Sequence, residues 1–99
     1  MIFIAIMNMD ANQLLEKARD MLAERGEEYD HEDKKERNMG RAVCAFNALT
    51  GYQMTEEEGW LFMLLLKLSR VTDSDFRHFD SLLDAICYST LMMECATNE

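Results

Sequence analysis

Residues 55–70, TEEEGWLFMLLLKLSR, contain the clearest indication of the fold of this chain. Thr55 followed three residues later by Glu58 is a capping box, and acidic residues in a first turn favour the positive end of a helix dipole. The segment that follows is apolar on nearly every side until Lys67. A helix of this kind lies at the centre of a helical bundle or at an interface between subunits.

Two further helices are predicted before this one. The first begins at a second capping box, Asp10 to Gln13, and carries an apolar stripe at helical period up to Gly26. A glycine at that place fits the left-handed position that follows a helix end. The charged residues 27–37 are predicted to form partly a loop and partly the first turns of the next helix, which ends near Gly51.

A last helix is predicted after a linker at residues 71–75 that is rich in capping residues. It begins at about Asp75 or Phe76 and runs to Met93. Four helices with short connections predict an all-α fold, an antiparallel bundle of about four helices. The chain divides into an N-terminal apolar arm, a single helical domain and a short tail, at residues 1–9, 10–95 and 96–99.

Composition excludes several classes of protein. The 99 residues include no proline and only four glycines, which are too few turn-forming residues for an all-β sandwich. At 48% hydrophobic residues, the chain is also too apolar to be disordered. The net charge of −9 repels phosphate backbones and argues against nucleic-acid binding. Apolar runs stay short of the roughly 18 residues that a membrane span needs. Three cysteines without CxxC spacing indicate reduced thiols in a cytoplasmic protein.

Self-association is predicted from two apolar segments. The helix around Trp60–Leu68 has more apolar surface than one small bundle can cover, and residues 2–6 add a sticky, β-prone run. We therefore expect a homo-oligomer, with a C2 dimer about the third helix as the simplest closed arrangement.

The candidate site is a row of polar residues on the last helix. Asp80, Asp84 and Tyr88 recur every four residues and so share one face. Lys67 and Arg70 end the apolar helix and can place positive charge over the two carboxylates. Two interpretations stay open: a partly buried ion-pair network between antiparallel helices, or a Mg²⁺ and phosphate site in which carboxylates hold the metal and the basic side chains hold phosphate oxygens.

Glu58 is a candidate third metal ligand, since a glutamate that faces Asp84 across the bundle would complete a site of hard oxygens. Other polar groups are expected to be structural: His78 is predicted on the surface, and the acidic stretch around His31 is predicted as a solvated loop. The sequence has no Walker, Rossmann, nucleophile-elbow or HExxH motif.

Several short motifs lie along the chain: RGEEYD at 25–30, ERNMGR at 36–41, AFNALTG at 45–51, TEEEGW at 55–60, LLKLSR at 65–70 and DSLLD at 80–84 with Tyr88. Taken together, they resemble a family of small proteins of tailed phages and prophages. The resemblance covers roughly residues 14–95. It implies a location in the cytoplasm of the host cell and no particular activity.

The chain also distantly resembles the all-α nucleotide pyrophosphatases of the MazG and dUTPase kind, which hold Mg²⁺ with an ExxE pair on one helix and an ExxD pair on the next. Asp80 and Asp84 correspond to the second pair, with a spacing of four instead of three. The first pair has no clean counterpart, because Glu32 and Glu36 lie outside it and Asn38 stands where a ligand is expected.

Two functions follow as hypotheses. The first is a Mg²⁺-dependent nucleotide-binding or pyrophosphatase-like bundle that uses the Asp80 and Asp84 row beside Lys67 and Arg70. The alternative is a non-enzymatic acidic phage accessory protein that binds and inhibits a host protein, such as a defence component or polymerase. One form of this hypothesis is that the acidic surface mimics DNA and occupies the DNA-binding cleft of the host protein.

Overall fold

The structure is a computed structural model that describes residues 8–29 and 38–98. Helix is the only regular secondary structure in this part of the chain, which confirms the all-α prediction. The helices are α1 (Ala11–Tyr29), α2 (Asn38–Thr50), α3 (Glu56–Asp73) and α4 (Phe79–Thr97). Most of the predicted N-terminal arm, at 1–7, and the charged stretch at 30–37 lie outside the described residues. None of the described helices is both long and apolar enough to cross a membrane.

Helix α4 is the centre of the bundle, with α1 packed on it from one direction and α3 from another. Helices α3 and α4 are antiparallel, because Trp60 stacks on Tyr88 near one end of the pair and Lys67 contacts Asp84 further along it. The buried core consists of two clusters that both include α4. One contains Ala18, Leu83 and Cys87, and the other contains Trp60, Tyr88 and Leu91.

Both predicted capping boxes are present. The Asp10 amide donates to Gln13 Oε1 and the Gln13 amide donates to Asp10 Oδ1, each at 2.9 Å. In α3 the Thr55 amide donates to Glu58 Oε1 at 2.8 Å, and the Glu58 amide donates to Thr55 Oγ1 at 3.2 Å. Two otherwise unpaired amides are thus satisfied at the start of each helix.

Two helices extend beyond their predicted ends. Helix α1 passes through Gly26 and ends at Tyr29, so the prediction of a helix end at this glycine was wrong. A glycine inside a helix costs only about 1 kcal/mol relative to alanine, and good helix formers follow it here. Helix α4 likewise continues past Met93 to Thr97, since the sequence has no glycine or proline to stop it before the C-cap residue Asn98.

The start of α4 was predicted three or four residues too early. Asp75 and Phe76 both adopt positive φ, 55° and 62°, and belong to the end of α3. The Phe76 amide donates to Val71 O at 2.9 Å and the Asp75 amide donates to Thr72 O at 3.3 Å, the bond pattern of a Schellman motif without glycine. Helix α4 then begins at Phe79.

His78 is the N-cap residue of α4. Its Nδ1 accepts a hydrogen bond from the Ser81 amide at 3.3 Å, and the residue is half-buried. The prediction of a plain surface histidine therefore missed a structural role, because an imidazole is an uncommon cap and the usual capping residues Ser, Thr, Asp and Asn do not occupy this position.

Candidate functional site

Asp84 is the buried centre of the predicted polar row. Its side chain is 10% exposed, and both carboxylate oxygens have cationic partners. Oδ1 accepts from Nη2 of Arg25, and Oδ2 lies 2.9 Å from Nζ of Lys67. This arrangement is the ion-pair network between antiparallel helices that was one of the two interpretations of the row, with a second cation from α1 added to it.

Arg25 also contacts the aromatic part of the core. Its Cζ lies 5.3 Å from the centre of the Tyr88 ring, a cation–π geometry, and Tyr88 stacks on Trp60 with ring centres 5.7 Å apart. Burial lowers the pKa of the Arg25 guanidinium, but the charge and hydrogen bond of Asp84, together with the neighbouring Tyr88 and Cys87, outweigh it, and the net pKa is raised above its usual value. The guanidinium therefore keeps its charge inside the bundle.

The sequence interpretation missed Arg25, which is 59 residues away from its partner. A signal was available in the helical register of α1. Ala18 and Leu22 belong to the apolar stripe of α1, and Arg25 continues the same stripe after a further three residues. A charged side chain on the inward face of a helix predicts a buried partner of opposite charge.

The other proposed metal ligands lie elsewhere. Asp80 is on the surface one turn before Asp84, and Glu58 is an exposed residue whose carboxylate caps α3. Glu58 precedes Lys67 by nine residues, about 13 Å along the helix axis. In the described parts of the chain no three His, Cys, Asp or Glu side chains are grouped in a way that could hold a metal ion. The geometry therefore gives the Mg²⁺ prediction no support.

The predicted phosphate ligands are also separated. Lys67 points to Asp84, whereas Arg70 is exposed near the end of α3. A phosphate site at this position would have to displace the ion pair of Lys67 and Asp84.

Asn38 and Tyr88, the two remaining site candidates, are brought together. Both line a pocket of about 120 Å³ whose other walls are largely apolar, formed by Met39, Ala42, Trp60 and Met63. Pockets for small-molecule ligands are usually about 300–1,000 Å³. This pocket is too small for a nucleotide.

Cys87 and Cys95 are poor nucleophiles in this structure. Cys87 is buried and its Sγ donates to Ala18 O at 3.3 Å. Cys95 Sγ lies 3.1 Å from Glu57 Oε1 and 3.4 Å from Glu56 Oε2. Desolvation and these carboxylates raise the pKa of the Cys95 thiol to about 12, so it stays protonated at neutral pH.

The connection between α2 and α3 presents a second candidate surface, which the sequence interpretation did not identify. We call Phe46, Leu49 and Tyr52 the α2–α3 tip. Leu49 is 87% exposed and Tyr52 is 67% exposed, although both are large apolar side chains. The Phe46 and Tyr52 rings contact each other, with centres 5.7 Å apart. The signal in the sequence was a leucine and a tyrosine on either side of the helix-ending Gly51.

The backbone of this connection is fixed by hydrogen bonds. Asn47 holds Met54 at both its amide and its carbonyl, each at 2.9 Å. Thr50 Oγ1 donates to Phe46 O at 2.7 Å and accepts from the Tyr52 amide at 3.2 Å. Gly51 adopts φ of 80°, a left-handed conformation that favours glycine. The turn is therefore a rigid support for side chains that point away from the core.

Comparisons with protein-family models, with curated proteins and with solved structures found no match to this chain.

Proposed function

We propose that this chain is a non-enzymatic acidic protein-binding module that attaches to another protein of the cell through the α2–α3 tip. The observation that carries this proposal is the exposure of Leu49 and Tyr52 on a turn whose backbone is held by four side-chain hydrogen bonds. A rigid support lowers the entropy cost of binding, because the contact residues are already in place. Exposed apolar side chains on such a support are typical of a recognition surface.

The charge of the chain defines the kind of partner. Glu56 and Glu58 are exposed immediately beyond the tip, and the whole chain carries a net charge of −9. An apolar pocket with a basic rim would complement this surface, and opposite charge would speed the encounter at low salt. In the phage interpretation this partner is a host protein whose activity the module blocks.

The nucleotide hypothesis has weaker support from the geometry and stays a prediction. Both oxygens of Asp84 are engaged by cations, and the pocket beside Tyr88, at about 120 Å³, is smaller than a nucleotide needs. A protein-binding role requires neither a metal nor a cavity, and the exposed apolar side chains favour it.

The test is a quantitative affinity enrichment from a lysate of the cells that express the protein. The bait is the full chain, either unchanged or with Leu49→Ala and Tyr52→Ala together. A specific partner is expected to be enriched by the unchanged bait and lost with the variant. With the purified partner, loss of two central contacts should cost about 2 kcal/mol or more, which is roughly thirtyfold in Kd.

Leu15→Ala is the matched control, since Leu15 is a 55% exposed leucine on α1, outside the tip. It should leave the partner and its affinity unchanged. If the tip variant enriches and binds the partner as well as the unchanged chain does, the tip is not the binding surface.

A further inference from the structure

Helices α1 and α4 form an apolar pocket of about 330 Å³, which we call the α1–α4 pocket. Its wall on α4 consists of Phe79, Leu82, Leu83 and Ile86, which recur at helical spacing and share one face of the helix. Leu83 is buried in the core, whereas Leu82 and Ile86 are only half-buried. The pocket is large enough to accommodate several apolar side chains, and its lining favours an apolar occupant.

The other wall of the α1–α4 pocket is the entry of the chain into α1. It consists of Asn8, Met9 and Leu14. Met9 and Leu14 are the residue before the Asp10 cap and the fourth residue after it, the two positions of a hydrophobic staple, which fixes the angle at which a chain enters a helix. Asn8 adopts φ of 70°, a left-handed conformation that asparagine tolerates better than most residues. The chain before residue 8 therefore starts from the pocket itself.

We propose that the α1–α4 pocket is the docking site of residues 1–7 of this same chain, the 1–7 segment. Its sequence is MIFIAIM, so all seven residues are apolar, and they lie outside the part of the chain that the structure describes. A chain spans at most about 3.5 Å per residue, so the whole segment stays within about 25 Å of Asn8. Docking buries the apolar surfaces of the segment and of the pocket together.

Tethering favours the chain's own segment over other occupants. A short flexible connection gives a tethered group an effective concentration in the millimolar range, so the 1–7 segment of a second copy competes poorly at micromolar protein. Asn8 is the one polar side chain of the lining, which offers little to a polar ligand. Docking also withdraws a β-prone run from pairing with other chains. The pocket shares no residue with the α2–α3 tip, so this proposal is independent of the proposed function.

The first experiment is a double-mutant cycle on thermal stability. Deletion of residues 2–7, which joins Met1 to Asn8, should lower the melting temperature by roughly 4–8 °C, the shift that the loss of a modest apolar contact gives in a domain of this size. Leu82→Ala should lower it less in the shortened chain than in the full chain, because residues in contact are coupled.

Leu65→Ala is the matched control for this cycle, since Leu65 is a 55% exposed leucine on α3, outside the pocket. Its effect on the melting temperature should be the same in both chains. A deletion without effect, or an effect of Leu82→Ala that is equal in the two chains, would overturn the proposal.

The second experiment uses the full chain, so it does not depend on how the shortened chain folds. In a Cys44→Ser background, Leu82→Cys is combined in turn with one of three substitutions in the 1–7 segment, Ile2→Cys, Ile4→Cys and Ile6→Cys. At least one pair should form a disulfide within one chain under mild oxidation, which mass spectrometry of non-reduced peptides detects. Leu65→Cys with the same three substitutions should remain unlinked. Disulfides to position 82 that form only between two chains would assign the pocket to a second copy and refute the proposal, and so would the absence of any link to position 82.

Discussion

At the scale of single residues, the environment of Asp84 decides between the two interpretations of the polar row. The negative charge of the Asp84 carboxylate is balanced by two cations that contact it. Its removal would leave Arg25 and Lys67 without their counter-charge. A metal-binding carboxylate behaves in the opposite way, because without metal its own charge is the uncompensated one. The two interpretations therefore differ in the sign of the effect on stability.

We predict that Asp84→Asn lowers the free energy of unfolding by about 3 kcal/mol in metal-free buffer with EDTA. Breaking a buried ion pair from one side typically costs about 3–5 kcal/mol. The lower end applies here because the side chains of Arg25 and Lys67 keep 21% and 16% exposure. Denaturant unfolding followed by circular dichroism measures the change.

Asp80→Asn is the matched control on the same helix. Asp80 is exposed in the first turn of α4, where its interaction with the helix dipole contributes only about 0.3–1 kcal/mol. An unchanged or raised stability of Asp84→Asn in EDTA would contradict the ion-pair interpretation and favour a metal site.

Reactivity of the three cysteines is predicted to follow their environments. Cys44 is exposed and should react with a thiol reagent first, Cys95 should react slowly, and Cys87 should react only on unfolding. The pKa of Cys95 is about 12 in the folded chain, against its usual 9.0, so its rate should stay low between pH 8 and 10. Mass spectrometry of the labelled peptides against time gives the order. Fast labelling of Cys95 at pH 8 would show that the two carboxylates do not protect it.

The same pKa shift has a defined sign for stability. In the unfolded chain the Cys95 thiol ionises near its usual pKa of 9.0, while in the folded chain it holds its proton up to about pH 12. The contribution of this thiol to stability is thus complete below pH 9 and is lost as the pH rises from 9 towards 12.

At the scale of helices, the contact of α2 with α3 depends on a glycine. A Cβ at Gly59 would lie 3.0 Å from Val43 Cγ2 and still nearer to the sulfur of Met39. Both of these side chains belong to the inner face of α2. The missing side chain at position 59 is therefore what allows the two helices to approach each other.

We predict that Gly59→Ala destabilises the fold by about 1–3 kcal/mol, as overpacking of a core does. Helix propensity alone would favour alanine by about 1 kcal/mol, so the sign of the result reports the steric contact. Gly40→Ala is the control, because its Cβ would meet only the end of the exposed, flexible Glu56 side chain. That variant should be neutral or slightly more stable. Thermal unfolding distinguishes the two, and equal stabilisation by both would contradict the close contact at Gly59.

The sequence predicted the helices well where their ends carry local signals. Both capping boxes are local, and each was found from residues three positions apart. The Schellman end of α3 was missed because Asp75 and Phe76 adopt positive φ in a stretch without glycine. The contact between Lys67 and Asp84 could be predicted, because the last two helices were expected to be antiparallel neighbours. The contact of Arg25 with Asp84 could not be predicted, since it depends on how α1 packs against α4.

At the scale of the whole molecule, charge and exposed apolar surface favour binding between proteins over catalysis. The chain carries a net charge of −9, and its exposed apolar side chains include the α2–α3 tip and Leu61, Phe62, Leu65 and Leu68 of α3. The tip is small, and its backbone is held in place by side-chain hydrogen bonds.

The final prediction separates the two functional hypotheses in a single assay. We expect nucleoside triphosphates at millimolar concentration, with Mg²⁺ or with EDTA, to leave the melting temperature of the full chain unchanged. A ligand at one hundred times its Kd stabilises the folded state by about 2.7 kcal/mol, and about 1 kcal/mol already shifts the melting temperature of a domain of this size by roughly 4–8 °C. Each nucleotide is compared with the same concentration of inorganic phosphate, which controls for ionic strength and anion effects. A Mg²⁺-dependent rise that Asp80→Asn abolishes would favour the nucleotide hypothesis, because the exposed Asp80 carboxylate has no part in the Asp84 ion-pair network.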